Sequence, residues 1–491
     1  MIHSSALSPT VDFAANAEIN LLSRLLSAFW RALPFIALAA ALVYPFYKHI
    51  QVGLILVAGG AAFAILPGFA PRLAASIAHF VDCLSNRKFL LIVCAAGLLL
   101  RLPMILHPGP LGGDNAIYVH SAQSIASGLG FGDYIVYPPG QAFWFAFWIA
   151  IFGADLHLLS AVQCGLSIAS APITYFGFAR YSKSGARWSA IFIAAYPAIV
   201  IWSGSLGHET TVIFLFSILF LILSRPSFAY SPKLWVLCGL AAGVTALVRP
   251  TMVIFPALVA CALVVAVHSV RKAVAPVLIT TLAMALAIAP WTIRNYLRFH
   301  EFALISTNFG GVLLSANHPE SDGIYMEVSQ IGKGLSRVEQ DRLQRRLAVQ
   351  SILSNPRLFA KRVVMRIIVQ WGGETSIVDS VFGTTPSFGQ TVRQLLRSLA
   401  QLAWVWFLSA WCIGVVRLRT MPLLNDLPIS WVVCLTALIF VMHSILEPIA
   451  RHHLPLLPFA AGISLPAYGD WLVRKAMGIA PSRTSAIAEE V

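Results

Sequence analysis

Residues 89–106, "FLLIVCAAGLLLRLPMIL", form an apolar run of the length that an α-helix needs to cross a bilayer, roughly 17–25 residues. Similar runs recur along the chain, for example at 28–47 and 272–291. Of the 491 residues, 58% are hydrophobic and only 11% are charged, whereas a soluble domain carries roughly a quarter charged residues. The sequence therefore predicts an all-α, polytopic membrane protein.

The spacing of the apolar runs predicts about 12–13 transmembrane helices. Segment 141–153 is apolar but short, so we expect it to be partial, tilted or re-entrant. Basic clusters from Arg87/Lys88 to Arg474/Lys475 then fall on one side, which the positive-inside rule makes cytoplasmic, together with both termini. The predicted full spans are 29–47, 51–70, 89–106, 157–178, 187–205, 207–224, 233–248, 251–267, 273–292, 397–417, 429–446 and 453–473.

The net charge of +14 is a second constraint on function. In a polytopic protein, Lys and Arg collect in cytoplasmic loops and beside lipid headgroups, which accounts for most of this charge. Membrane lipids are therefore expected partners, and no nucleic acid is. The seven cysteines lie in or beside apolar segments without a CxxC pair, so neither a disulfide framework nor a zinc site is indicated.

Two large pieces face the extracytoplasmic side in this topology, the loop 107–140 and the region 294–396. The second piece contains arginine-rich amphipathic segments suited to lie against headgroups, and Pro356 should interrupt them. The predicted regions are 1–88 (cytoplasmic N-terminus and an additional transmembrane hairpin), 89–293 (transmembrane core), 294–396 (extracytoplasmic, interfacial), 397–473 (C-terminal transmembrane helices) and 474–491 (cytoplasmic tail).

Acidic residues beside membrane spans are functional candidates, because lipid makes them costly. Asp114, in "PLGGDNAIYVHSAQSIASG" (110–128), follows two glycines, and two roles fit it equally: a helix N-cap or catalysis. Glu209 opens a predicted span, where stabilisation by the helix dipole and a functional role carry equal weight. Asp133 is favoured as a solvated turn residue.

Basic residues near the same face form a second group of candidates. Arg249 stands between two short spans, where snorkelling to the interface is the simplest role and bidentate binding of a lipid phosphate is the rival. Arg294 is expected to be an interfacial anchor. Arg451 precedes His452 and His453 at a tight turn between the last two spans, and adjacent histidines point to different helix faces, so no joint metal site is predicted.

Four segments resemble the GT-C class of integral-membrane glycosyltransferases. More narrowly, they resemble family 39, which includes protein O-mannosyltransferases and the bacterial aminoarabinose transferase acting on lipid A. The segments are "GGDNAIYVHSAQSIASG" (112–128) followed by "YPPG" (137–140), "SGSLGHETTVIFLF" (203–216), "APWTIRNYLRFHEFALISTNFGGVLLSANHP" (289–319) and "ARHHLPLLPF" (450–459). Together they extend over the core from about residue 89 to 473.

The resemblance implies an enzyme that moves a sugar, with inversion, from a polyprenyl-phosphate carrier to a lipid, glycan or protein acceptor. In the family, an acidic residue in the first large extracytoplasmic loop lies at the reaction centre, and Asp114 matches that place. Positive charge for the departing phosphate would come from Arg249, Arg294 and Arg451. The full set of implied substrate-binding residues is Tyr137, Glu209, Arg249, Arg294, His318, Arg451 and His453.

The sequence also departs from the family pattern. Many members carry two adjacent acids in the first loop, whereas Asn115 follows Asp114 here. No metal ligand is therefore assigned, and a divalent metal ion stays open as a cofactor. The expected location is a bacterial inner membrane with the site facing the periplasm. A transporter or flippase of a lipid-linked sugar is the alternative function; it predicts charges spread through the membrane and inverted repeats.

Overall fold

The computed structural model describes residues 9–48, 76, 83–132, 135–382, 389–418 and 422–476. These residues form α-helices and short 3-10 helices with no β-strand among them, which confirms the all-α prediction. The α-helices are α1 (Pro9–Lys48), α2 (Asn86–Leu106), α3 (Asp114–Ala126), α4 (Gly140–Phe152), α5 (Leu156–Phe178), α6 (Lys183–Ala195), α7 (Pro197–Trp202), α8 (Glu209–Leu223), α9 (Pro232–Val248), α10 (Phe255–Val267), α11 (Val270–Phe299), α12 (Phe309–Asn317), α13 (Arg337–Ser354), α14 (Pro356–Gly372), α15 (Thr375–Phe382), α16 (Gln390–Arg417), α17 (Leu427–Ile445) and α18 (Leu457–Ala476). The 3-10 helices are Pro226–Tyr230, Pro250–Ile254, Pro422–Asn425 and Ala450–Leu456.

Seven helical segments in the described part of the chain are long and apolar enough to cross a membrane, which confirms the polytopic class. Helices α4, α8 and α9 are apolar but shorter. The predicted span 51–70, Asp133 and the tail beyond 476 lie outside the described residues. The seven segments are Glu18–Pro45, Asn86–Leu106, Leu156–Phe178, Pro250–Val267, Val270–Phe299, Gln390–Arg417 and Leu427–Ile445.

The pair α9 and α11 shows how small residues let these helices approach closely. A Cβ atom added to Gly243 of α9 would lie 2.6 Å from the Cβ atom of Ala287 on α11. Lipid is as apolar as the helix surfaces, so close van der Waals packing between backbones replaces the hydrophobic effect as the cause of association. A larger residue at position 243 would push the two helices apart.

The predicted span 187–205 is two helices, because a proline interrupts it. Helix α6 ends at Ala195 and α7 begins at Pro197, which has no N–H to donate to the carbonyl of Ile193. Arg101 of α2, fully buried, supplies the missing donors: its Nη2 lies 2.7 Å from the Ile193 carbonyl oxygen and its Nη1 lies 2.8 Å from that of Ala194. A buried guanidinium thus stabilises the break.

The short segment 141–153 forms α4, whose two ends both lie at one end of the helical bundle. We call this the upper end, where α2 and α9 terminate. At the start of α4, a Cβ atom added to Gly140 would lie 2.6 Å from Cγ2 of Val248. Just after α4, His157 Nδ1 donates to the carbonyl of Ile105 at 3.0 Å. Thirteen residues give about 20 Å of helix, so α4 lies along the upper end instead of crossing.

Two helices extend into the predicted region 294–396. Helix α11 continues to Phe299 and α16 begins at Gln390, so the described residues between these two helices are 300–382 and 389. The extracytoplasmic location of this region stays a prediction. Pro356 does interrupt the arginine-rich segment, between α13 and α14. Arg366 of α14 is fully buried and donates to the carbonyls of Ala316 and Ile445, at the ends of α12 and α17. This side chain fixes the region to the upper end of the bundle.

We expect replacement of Arg101 by Leu to lower the free energy of unfolding by about 3 kcal/mol, because the carbonyls of Ile193 and Ala194 would be left buried without donors. Thermal or denaturant unfolding in detergent micelles measures this change. The control is Arg225→Leu, at an exposed arginine, which should change stability by no more than about 0.5 kcal/mol. Equal stability of the two variants would contradict the capping role of Arg101.

Candidate active site

The candidate site forms where several helices end at the upper end of the bundle. Asp114 is the first residue of α3, Tyr137 precedes α4, and Glu209 is the first residue of α8. Arg249 directly follows α9, and Arg451 lies on the 3-10 helix Ala450–Leu456. Residues distant in sequence therefore meet because their helices terminate on the same side.

Arg451 lies between the two acidic residues of the site. Its Nη2 donates to Asp114 Oδ2 at 2.9 Å, and its Nε forms an ion pair with Glu209 Oε1 at 3.0 Å. The Trp202 indole N–H donates to Glu209 Oε2 at 3.0 Å, and the guanidinium carbon of Arg451 lies 5.5 Å from the centre of the Trp202 ring. The side chains of Asp114 and Arg451 are 30% and 21% exposed and that of Glu209 is 1% exposed. The array thus runs from a buried carboxylate to an accessible one.

The N-cap role that the sequence allowed for Asp114 is wrong. Gly113 is the N-cap residue, with φ of 53°, and Asp114 is the first helical residue. Glycine adopts this backbone conformation without the cost that a side chain would impose. The Asp114 carboxylate instead accepts a hydrogen bond from the Tyr137 hydroxyl at 2.8 Å and the bond from Arg451. The sequence therefore places Asp114 at a helix start, and the fold gives its carboxylate polar side-chain partners.

Arg249 lies beside a pair of histidines. Its Nη2 donates to His443 Nε2 at 3.3 Å. Since a guanidinium can only donate, the proton of the neutral His443 ring is on Nδ1, which lies 3.0 Å from both the Glu447 carbonyl oxygen and His452 Nδ1. Burial holds the pKa of His452 well below its ordinary value, so this ring is neutral too. Among the described residues, Nη1 of Arg249 has no hydrogen-bond partner.

Glu447 is a third carboxyl group at the site, in the connection between α17 and the 3-10 helix. Burial raises its pKa to about 7, the charge of Arg451 lowers it, and the charge of Asp114 raises it again. Glu447 thus lies within electrostatic range of Asp114 and Arg451, two residues that the sequence motifs identified as candidates.

Three of the predicted substrate-binding residues, Arg294, His318 and His453, have their described contacts with residues other than Asp114, Glu209 and Arg451. Arg294 lies over the Trp291 ring at 4.7 Å and donates to the Gly132 carbonyl. His318 follows α12 and its Nδ1 accepts the backbone N–H of Glu320 at 3.3 Å.

His453 is fully buried and lies two residues after Arg451 on the same 3-10 helix. Its ring stacks on Trp404 at 4.6 Å, its Nδ1 donates to the Gln370 carbonyl at 2.9 Å, and its Nε2 lies 3.2 Å from Glu374 Oε1. These contacts hold the 3-10 helix in place, and a substrate-binding role of His453 stays a prediction. As the sequence predicted, His452 and His453 point to different clusters.

Sequence reasoning missed two residues of the site, Trp202 and His443. His443 carries a usable signal, since an ionisable side chain inside the predicted span 429–446 is a functional candidate by default. Trp202 carries none, because tryptophan is common in apolar segments and its contact with Glu209 depends on the loop 203–208 folding back.

The donor set does not fit a divalent metal ion. Asp114 and Glu209 both face the guanidinium of Arg451, and a cation between them would meet that positive charge. Within the described ranges, no group of three or more His, Cys, Asp and Glu side chains is arranged to hold a metal. The charge that a metal would supply at this position is already present on Arg451.

We expect Arg451→Met to reduce stability by about 3–5 kcal/mol, because the buried Glu209 would lose its closest ion-pair partner. The double variant Glu209→Gln, Arg451→Met should recover part of this loss, as a double-mutant cycle of unfolding free energies would show. Arg474→Met, which removes a partly exposed ion pair with Asp470, is the control and should cost less than about 1 kcal/mol. A double variant no more stable than Arg451→Met would contradict the pairing.

No family model and no curated protein matches this sequence. Among solved structures, the chain is similar to the oligosaccharyltransferase AglB from Archaeoglobus fulgidus in complex with an inhibitory peptide and a dolichol-phosphate, with 12% identity, a TM-score of 0.48, and coverage of 81% of this chain and 52% of that chain. It is also similar to ArnT from Cupriavidus metallidurans bound to undecaprenyl phosphate, with 14% identity, a TM-score of 0.38, and coverage of 80% and 78%.

The A. fulgidus oligosaccharyltransferase in complex with Zn and sulfate has 14% identity to this chain, a TM-score of 0.46, and coverage of 79% and 50%. This chain thus spans about half the length of the oligosaccharyltransferase structures. The chain is thus similar in fold to an oligosaccharyltransferase and to ArnT, and membership of family 39 stays a prediction.

Proposed function

We propose that this protein is an inverting glycosyltransferase that moves a sugar from a polyprenyl-phosphate carrier to an extracytoplasmic lipid, glycan or protein acceptor. The observation that carries the proposal is the array of Asp114, Arg451 and Glu209 at the common end of the helices. It combines an accessible carboxylate with a fixed positive charge, the two features that displacement of a phosphate by a hydroxyl requires.

Arg249 is the proposed binding group for the carrier phosphate. Its side chain is buried, and Nη1 has no hydrogen-bond partner among the described residues, so a donor is available at the site. A guanidinium matches phosphate oxygens with two parallel hydrogen bonds. His443 accepts the hydrogen bond from Nη2 and so holds the guanidinium in place, and the rings of His443 and His452 beside it are neutral.

Asp114 is the proposed contact for the acceptor hydroxyl. Each carboxylate oxygen has two lone pairs, and the bonds from Tyr137 and Arg451 use one on each oxygen. The side chain is 30% exposed, so an acceptor can reach it. A hydroxyl held here and a sugar phosphate held at Arg249 would place the two reactants in one site, which removes much of the entropic barrier.

A flippase of a lipid-linked sugar is the rival proposal, and the distribution of charge disfavours it. A flippase needs polar groups along the path through the membrane. The buried Arg101 within α2 is instead bonded to backbone carbonyls and to Ser167, which gives it a structural role. The mixed-sign cluster lies at one end of the bundle. We place that end at the periplasmic face of a bacterial inner membrane, from the positive-inside pattern.

We expect Asp114→Asn to reduce transfer to a small residual rate while leaving carrier binding intact, because the amide keeps the shape of the carboxylate and loses its charge. Cells without the gene, complemented with wild type or variant, are compared by mass spectrometry of carrier lipids and envelope glycans. The wild type should modify the acceptor, and the variant should accumulate the sugar-loaded carrier. Wild-type glycans in the variant would remove Asp114 from the mechanism, and normal flipping without transfer by the wild type would favour the flippase.

We expect Arg249→Met to weaken binding of undecaprenyl phosphate by roughly 10- to 100-fold, since a charge-assisted hydrogen bond contributes about 1.5–3 kcal/mol. Intrinsic tryptophan fluorescence of the purified protein in detergent can follow the titration. Arg357→Met, at an exposed arginine of α14, is the matched control and should bind as the wild type does. Equal affinity in Arg249→Met and the control would place the phosphate elsewhere.

A further inference from the structure

The connection 446–449 that carries Glu447 is held firmly at both sides. Before it, Arg366 and the Asn317 side chain donate to the Ile445 carbonyl. At Glu447 itself, the backbone carbonyl accepts the hydrogen bond from His443 Nδ1 at 3.0 Å. Pro448 follows and restricts the backbone of Glu447 to extended conformations. These contacts hold the backbone of Glu447 in place at the end of α17.

The carboxyl group of Glu447 differs from the other two at the site because no described residue donates a hydrogen bond to it. Asp114 accepts bonds from Tyr137 and Arg451, and Glu209 is enclosed between Trp202 and Arg451. Glu447 is partly exposed, and its backbone carbonyl accepts a hydrogen bond from His443, the ring that also accepts one from Arg249. The charges of Asp114 and Arg451 both act on its carboxyl group. No described residue therefore competes for the carboxylate oxygens that would accept a proton.

We infer that Glu447 is the general base that takes the proton from the acceptor hydroxyl, while Asp114 orients that hydroxyl. This inference rests on the proposed glycosyltransferase function. In the step, the acceptor oxygen forms a bond to the anomeric carbon and its proton passes to the Glu447 carboxylate. The bond from the anomeric carbon to the phosphate oxygen breaks, and its electron pair leaves with the polyprenyl phosphate.

The charges around Glu447 suit this role. It is faced by Asp114 on α3, Arg451 on the 3-10 helix and Tyr325 on the loop after α12, and His443 of α17 binds its backbone. Burial raises its pKa to about 7, against the opposing effect of Arg451. A base is most effective when its pKa lies near the working pH, because it is then both deprotonated in part and strong enough to accept a proton.

The test is the pH dependence of kcat/KM in the purified protein, with the sugar-loaded carrier lipid extracted from cells lacking the gene as donor. We expect the wild-type rate to rise with pH through about 7, as Glu447 loses its proton. Glu447→Gln should lower the rate by about 10²- to 10⁴-fold and remove this rise. Glu447→Asp, which keeps a base, should retain the rise at a lower rate. Glu320→Gln, at an exposed glutamate, is the control and should behave as wild type.

Asp114→Asn provides the sharper comparison, because it tests the two carboxyl groups against each other. Its residual activity should keep the pH rise but shift it to lower pH, since the negative charge of Asp114 raises the pKa of Glu447. A rise that disappears in Asp114→Asn and persists in Glu447→Gln would assign the base to Asp114 and overturn the inference. If Glu447→Gln unfolds, the pH profile of Glu447→Asp is measured instead. A rate that does not rise with pH in Glu447→Asp overturns the inference.

Failure of the inference and failure of the proposed function give different results. A wild type that transfers sugar at a rate equal to that of Glu447→Gln overturns the role of Glu447 and leaves the glycosyltransferase standing. A wild type that transfers no sugar from the extracted carrier overturns the glycosyltransferase and the role of Glu447 together. Difference infrared spectra at several pH values, without substrate, should show one carboxyl group titrating near pH 7 that is missing in Glu447→Gln.

Discussion

A single guanidinium, that of Arg451, holds the candidate site together. Glu209 is almost fully buried, and a carboxylate in that position carries a large desolvation cost unless a positive charge accompanies it. Arg451 supplies that charge and at the same time binds the accessible Asp114. The start of α3, the start of α8 and the 3-10 helix are therefore fixed relative to one another by one side chain. The Trp202 ring lies beside the guanidinium, and the buried ring of His453 holds the same 3-10 helix against Trp404.

Buried arginines also complete the helix ends from which the site is built. A helix that ends inside a membrane protein leaves carbonyls without donors where little water is present. Arg101 binds such carbonyls where Pro197 interrupts a span, and Arg366 binds those at the ends of α12 and α17. These side chains make abrupt helix ends stable, and abrupt ends allow polar residues to be presented at a defined depth. In this protein, buried arginines therefore both stabilise helix ends and form part of the candidate site.

The polar groups of the site divide into separate environments that suit separate tasks. Arg249 has neutral histidines and an available donor, which suits an anion. Asp114 is fixed by a cation and a hydroxyl, which suits orientation of a ligand. Glu447 has an anchored backbone and an uncommitted carboxyl group, which suits proton transfer. In the proposed transfer reaction, this division would hold the carrier phosphate and the acceptor hydroxyl at separate groups of one site.

The sequence by itself determined the class of the protein, since long apolar runs permit only helices that satisfy their own hydrogen bonds. It also identified Asp114, Glu209, Arg249 and Arg451, because ionisable residues at span ends are costly and therefore conspicuous. Only the tertiary structure decided their partners. The contact of Arg451 with Asp114, the hydrogen bonds of Arg101 at the break before Pro197 and the enclosure of His453 all depend on helices distant in the chain. Hydropathy predicts the depth of a residue in the membrane but not its neighbours. Depth in the membrane is a local property of sequence, whereas pairing of charges follows from how the helices pack.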